Sequence, residues 1–182
     1  MKSLGIDIGS SSVKVSLMDI ESGRCVASAA SPATEMPIEA VRSGWAEQDP
    51  DMWWRCVCES IRRIAAEHPM REVASIGITY QMHGLVCIDE TGRPLRKSII
   101  WCDSRAVEIG DEAFEGIGAA FCLEHALNSP GNFTASKLAW VRHNEPEIFA
   151  RVYKFMLPGD YIAYRLSGRV STTVSGLSEQ IL

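Results

Sequence analysis

Asp7, Gly9-Ser10-Ser11-Ser12 and Lys14 bring a carboxylate, a hydroxyl-rich glycine turn and an ammonium group together near the N-terminus. The carboxylate falls inside the apolar strand pattern Leu4-Gly5-Ile6-Asp7-Ile8, where burial is costly unless a cation, a metal-bound water or several N–H groups pair with it. The turn that follows offers close backbone N–H groups and hydroxyls, which suit phosphate oxygens. Strand, carboxylate, phosphate-sized turn and second strand read as the first hairpin of a phosphoryl-transfer domain. The plainer alternative is an ordinary hairpin turn, because Asp, Gly and Ser dominate turns for backbone reasons. Neither Gly-x-x-x-x-Gly-Lys-Ser/Thr nor Gly-x-Gly-x-x-Gly occurs, so neither a P-loop nor a dinucleotide fingerprint is indicated.

Two further groups of residues bear chemistry. Gln81-Met82-His83-Gly84 lies just beyond an apolar strand pattern, and open α/β sheets bind ligands at the carboxyl ends of their strands. An imidazole exchanges hydrogen bonds with a polyol and a thioether meets a sugar's carbon face; the alternative is a core methionine beside a satisfied histidine. Trp101-Cys102-Asp103-Ser104-Arg105 also follows a strand. Asp103 and Arg105 either bind hydroxyls or neutralise each other at a strand-to-helix corner. Glu47 and Gln48, close to Trp45, line a sugar site or belong to a loop anchored by a buried Trp.

The elements that must position these groups are legible from periodicity. Ser3 to Ile8, Val13 to Asp19 and Arg24 to Ala30 read as three strands, the last two joined by the turn Glu21-Ser22-Gly23. Asp49-Pro50 starts a helix that runs to about His68, with Trp53, Val57, Ile61 and Ile64 on one buried face. Strands follow at Val73 to Thr79, Gly84 to Asp89 and Ile99 to Trp101. Helices are expected at Ala106 to Phe114, Ile117 to His125, Thr134 to His143, Pro146 to Ala150 and Gly159 to Leu166, with a short extended link at Tyr153 to Met156. Three early antiparallel strands, then strands alternating with helices, indicate an α/β protein with a mixed sheet and flanking helices.

Composition narrows the function classes. The 182 residues fit one domain, and 46% hydrophobic with 23% charged residues is ordinary for a globular chain. A net charge of −5 argues against an extended nucleic-acid surface. No apolar run approaches a bilayer span, and Asp7 interrupts the N-terminus too early for a signal peptide, so a cytoplasmic protein without membrane partners is expected. The six cysteines lack Cys-x-x-Cys spacing and sit mostly among apolar residues, which points to core packing, and the four histidines lack metal-ligand spacing.

Taken together, the Gly5–Lys14 hairpin, Gly44-Trp45-Ala46-Glu47-Gln48-Asp49-Pro50, Gln81-Met82-His83-Gly84, Trp101-Cys102-Asp103-Ser104-Arg105, Phe133-Thr134-Ala135-Ser136-Lys137-Leu138-Ala139-Trp140 and Leu157-Pro158-Gly159-Asp160-Tyr161 resemble the FGGY carbohydrate kinases. Within that family the resemblance is to the xylulokinases, over residues 1 to about 170. It implies the actin-like ATPase fold built from ribonuclease-H-like domains, of which residues 1–182 match the N-terminal, sugar-binding one. It also implies ATP and magnesium as cofactors, a sugar substrate, most simply D-xylulose, and a place in xylose metabolism.

By resemblance, Asp7 lies near the transferring phosphoryl and holds magnesium through water. Gly9, Ser10, Ser11, Ser12 and Lys14 meet ATP phosphates, while Gln81, Met82, His83, Asp103 and Arg105 bind the sugar. Asn132 and His143 depart from the family's lysine-tryptophan signature, and Ser171-Thr172-Thr173-Val174-Ser175-Gly176 lacks the aspartate that often follows the threonine there. The general-base aspartate and the second, nucleotide-binding domain are expected beyond residue 182. Ser178-Glu179-Gln180-Ile181-Leu182 reads as the start of a strand, whose exposed edge is expected to associate the chain as a homodimer. The competing reading, a non-catalytic actin-like assembly module, gives no reason for sugar-contact residues at Gln81-Met82-His83-Gly84 or Gly44-Trp45.

Overall fold

A computed structural model describes residues 1–180. Along it run β1 (Lys2–Ile8), β2 (Val13–Asp19), β3 (Cys25–Ser31), β4 (Glu47–Gln48), α1 (Pro50–Ala65), β5 (Val73–Tyr80), β6 (Val86–Ile88), β7 (Ser98–Ile99), α2 (Val107–Ile117), α3 (Ala119–His125), α4 (Thr134–Asn144), α5 (Pro146–Phe149), β8 (Lys154–Met156), α6 (Pro158–Ser167) and α7 (Val174–Gln180). β1, β2 and β3 form an antiparallel meander, and β5 adds parallel to β1, giving the order β3-β2-β1-β5. Two small antiparallel pairs, β4 with β7 and β6 with β8, extend the structure beyond the main sheet.

Strict alternation in β1 and β2 sends Leu4, Ile6, Ile8, Val13, Val15 and Leu17 to one face, where all are buried. α1 packs on that face across β2 and β3. Its start is set by Asp49, whose side chain accepts a hydrogen bond from the Asp51 N–H at 2.9 Å, with Pro50 at the first helical position. Trp53 and Val57 are fully buried, each contributing roughly 2–3 kcal/mol of transfer free energy. A second apolar cluster gathers Leu85, Cys87, Ile99 and Val141 beneath α4.

The opposite face of the sheet carries Gly5, Asp7, Lys14, Ser16, Gly77 and Thr79, which line a depression. Asp7 is therefore exposed, and the costly buried carboxylate that the strand pattern suggested does not arise: alternation places it opposite Ile6 and Ile8. The expected strand from Ser178 is also corrected, because the chain is helical through Gln180, while Ile181 and Leu182 lie outside the described residues. The cysteines divide between packing and surface: Cys56, Cys87 and Cys122 are buried, Cys25 and Cys102 exposed, and all six are free.

Candidate active site

β1 and β5 run parallel in register, Asp7 beside Thr79 and Ile8 beside Tyr80, so their carboxyl ends finish together. The Gln81 N–H extends the ladder by one bond, donating to the Ile8 carbonyl at 2.8 Å. From this common edge the chain leaves in two directions, into the Gly9–Ser12 turn and into Gln81–Gly84.

The carbonyls of Ser10, Ser11 and Ser12 accept from Gln48 Nε2, the Met36 N–H and the Gly9 N–H, at 2.6, 2.8 and 3.0 Å. With these carbonyls occupied, the serine hydroxyls and their N–H groups are what the turn offers a ligand. Lys14 stands directly across the hairpin from Asp7. Among the described residues no group of three or more His, Cys, Asp or Glu side chains is arranged to hold a metal. One exposed carboxylate fits magnesium that keeps its waters and takes its other ligands from phosphate, rather than a metal in a protein cage.

His83 has φ +56°, a left-handed conformation that a side chain disfavours. Three neighbours hold it there. Lys137 Nζ donates to the His83 carbonyl at 2.7 Å, Glu179 Oε1 accepts from the His83 N–H at 2.6 Å, and the Phe133 ring lies 4.2 Å from the imidazole. Gly84 completes the loop because a Cβ there would sit 2.5 Å from Pro158 at the start of α6. In this segment two buried polar atoms, His83 Nδ1 and Gln81 Oε1, find no hydrogen-bond partner among the described residues, although Glu179 Oε1 approaches Nδ1 to 3.8 Å. Met82 is 55% exposed. Nδ1 faces inward toward Glu179, so what the loop offers a ligand is the other ring nitrogen, Nε2, which is accessible and makes no hydrogen bond among the described residues, together with an open thioether, a combination suited to a polyhydroxylated ligand.

Burial sets the charges around this loop. It lowers the His83 imidazole below the usual histidine value, opposed by Glu179 and reinforced by Lys137. It also brings the fully buried Lys137 down to about 8, against the pull of Asp103. Asp160 in α6 is pushed up by burial, with Glu179 adding to the effect.

Asp103 and Arg105 are placed differently from the sugar contacts expected of them. Arg105 Nε and Nη2 donate to both Asp103 oxygens at 2.7–3.0 Å, and Nη1 pairs with Glu47 at 2.7 Å. The guanidinium lies 3.7 Å over the Trp45 ring and 4.9 Å from Trp140. Asp103, fully buried, also accepts from the Ala46 N–H. Arg96 joins Glu47 and Glu145 to the same cluster. Asp103 and Arg105 thus pair with each other inside a buried cluster, which is the arrangement that the neutralising alternative describes. The depression onto which Asp7 opens is not lined by Met82 or His83, which lie past the end of β5.

Sequence reasoning did not assign roles to Phe133, Lys137 and Glu179. Phe133 and Lys137 stood within a quoted motif, but a lysine in a helix reads as solvated until its burial is seen. Nothing local to Glu179 signals a contact with a loop 96 residues away.

The sequence profile of the FGGY family of carbohydrate kinases, N-terminal domain, matches residues 3–182. A xylulose kinase of Staphylococcus xylosus is 36% identical over 181 residues, covering 98% of this chain and 36% of the relative. One from Escherichia coli K12 is 35% identical over 172 residues, covering 94% of this chain and 34% of the relative. Among solved structures, a xyloylose kinase from Brucella ovis superposes with TM-score 0.90 at 34% identity, over 99% of this chain and 37% of the other. A gluconate kinase from Lactobacillus acidophilus superposes with TM-score 0.86 at 26% identity, over 98% and 36%. The chain thus spans little more than a third of the length of the relatives it matches.

Proposed function

Because the chain belongs to the FGGY family of carbohydrate kinases, we propose that it forms the sugar-binding part of an ATP-dependent kinase acting on a ketopentose hydroxyl, most simply that of D-xylulose. The observation that carries this reading is the clamped His83, whose backbone is held at both ends and whose ring turns Nδ1 inward toward Glu179, leaving its other edge open beside exposed Met82. In this reading residues 1–182 are the N-terminal domain, and the adenosine of ATP is held by a part of the relatives' length that this chain does not span. A cytoplasmic location and a role in xylose metabolism belong to the same reading.

The reaction is in-line attack of a sugar hydroxyl on the γ-phosphoryl of ATP, in which catalysis is mainly positioning and charge stabilisation. ATP with magnesium supplies the phosphoryl group and the cation that draws charge from its oxygens. In this chain, Gln81, Met82 and His83 orient the sugar. The Gly9–Ser12 turn and Lys14 would meet phosphate oxygens, and Asp7 would hold magnesium through water.

Calorimetric titration of the chain with D-xylulose and with D-gluconate tests this. D-xylulose is expected to bind in preference, and His83→Ala to weaken it about fivefold, the loss of one hydrogen bond of about 1 kcal/mol. Equal affinity of both forms removes His83 from the site. Preference for D-gluconate replaces the ketopentose, and binding of neither sugar overturns the reading.

A further inference from the structure

Gln48 touches both halves of this site at once. Its side chain is 1% exposed and has four polar partners. Nε2 donates to the Ser10 carbonyl at 2.6 Å and to the Pro37 carbonyl at 3.4 Å. Oε1 accepts from Trp53 Nε1 and from Gln81 Nε2, each at 3.1 Å. The amide cannot be reversed, because an indole N–H only donates and a backbone carbonyl only accepts. That orientation dictates the next one along. Gln81 must turn its own Nε2 toward Gln48, which leaves Gln81 Oε1 as the buried acceptor without a partner.

We propose that Gln48 is a positioning residue that couples the Ser10 turn to the Gln81–His83 segment, so that a change at one end is felt at the other. The link runs from the Ser10 carbonyl through one amide group to the Gln81 amide, and each bond polarises the next in a buried setting. A displacement of Gln81 alters the Oε1 contact that Gln48 shares with Trp53, and with it the hold of Nε2 on the turn. The identity of the ligands at the two ends rests on the kinase reading above; the link itself does not.

A second route joins the same two segments, the backbone bond from Gln81 to Ile8, so the experiment must separate them. Nitrogen-15 NMR of the chain provides the reporters: the Trp53 indole N–H and the amides of Ser10, Ser11 and Ser12. Gln81→Met is expected to shift all of these in the native background. In a Gln48→Met background the same Gln81→Met change is expected to leave the Ser10–Ser12 amides unmoved. Equal shifts of those amides in both backgrounds overturn the proposal, since the backbone route then carries the effect. If Gln48→Met does not fold, Gln48→Asn takes its place, one methylene too short to reach both ends.

Titration of the native chain with D-xylulose forms the second arm. Shifts at Met82 and His83 accompanied by Trp53 and Ser10–Ser12 support the coupling, and loss of the Ser10–Ser12 shifts in Gln48→Met, with those at Met82 and His83 retained, assigns it to the side-chain link. Shifts confined to Met82 and His83 overturn the coupling and leave the sugar site standing. No shift at Met82 and His83 overturns the sugar assignment, while the substitution cycle still decides the coupling.

Discussion

His83 is held by its backbone and made available through its ring, and the two roles separate experimentally by pH. Its imidazole lies below the usual histidine value of 6.5, chiefly because burial penalises the charged form. The unfolded chain therefore binds a proton here more readily than the folded one. Stability from neutral His83 is present above pH 6.5 and is lost as pH falls through and below that value. Urea midpoints of the native chain should drop more between pH 7.5 and 5 than those of His83→Asn, which tolerates the left-handed backbone without titrating. Parallel slopes would remove His83 as the source. Arg105 gives a second prediction. Its substitution by Met leaves the fully buried Asp103 carboxylate without its cation, which costs about 3–5 kcal/mol, while Glu47 keeps Arg96. Arg105→Lys should recover only part of this, because an ammonium cannot bridge both oxygens of Asp103 and stack on Trp45. Denaturant unfolding of the two variants measures the difference.

The elements around the site were legible to different degrees. The β1–β2 hairpin follows from period-two alternation, and α1 from its Asp49-Pro50 start and apolar stripe, so their expected and observed limits agree to within a few residues. The helical state of Val174–Gln180 was not legible: α7 packs against α4, and Glu179 reaches the His83 loop through that packing. The turn before α4 depends on another close approach. Gly110 of α2 lies against the backbone of Gly131, and a Cβ there would come within 2.4 Å of it. A main chain cannot rotate aside as a side chain does. Gly110→Ala should therefore cost about 1–3 kcal/mol through overpacking. It should also shift the Phe133 turn, read as a lowered thermal midpoint together with altered Phe133 and His83 NMR resonances. An unchanged midpoint and unchanged resonances would show that α2 yields freely.

At the scale of the molecule, sugar binding and turnover should come apart. A kinase needs a base within reach of the attacking hydroxyl and a closing part that excludes water and clamps nucleotide. We expect the 182-residue polypeptide to bind D-xylulose without producing ADP at an enzymatic rate, measured by a coupled ADP assay. Sugar-dependent ADP production abolished by Asp7→Ala would show that these residues suffice. The sequence by itself determined the strand order of the first hairpin, the start of α1, the sites of its chemistry-bearing loops and, through six ordered motifs, the kinase family. Those properties rest on local periodicity, turn chemistry and residue spacing, which are written along the chain. The tertiary structure decided which of the polar residues are open and which are closed. It put Asp7 on the exposed face of the sheet, closed Asp103 and Arg105 into a buried cluster with Glu47 and Trp45, and brought Lys137 and Glu179 onto His83 from helices 54 and 96 residues away. Whether a charged group meets solvent, a ligand or a partner depends on which distant segments pack against it, and residue spacing along the chain carries no record of that.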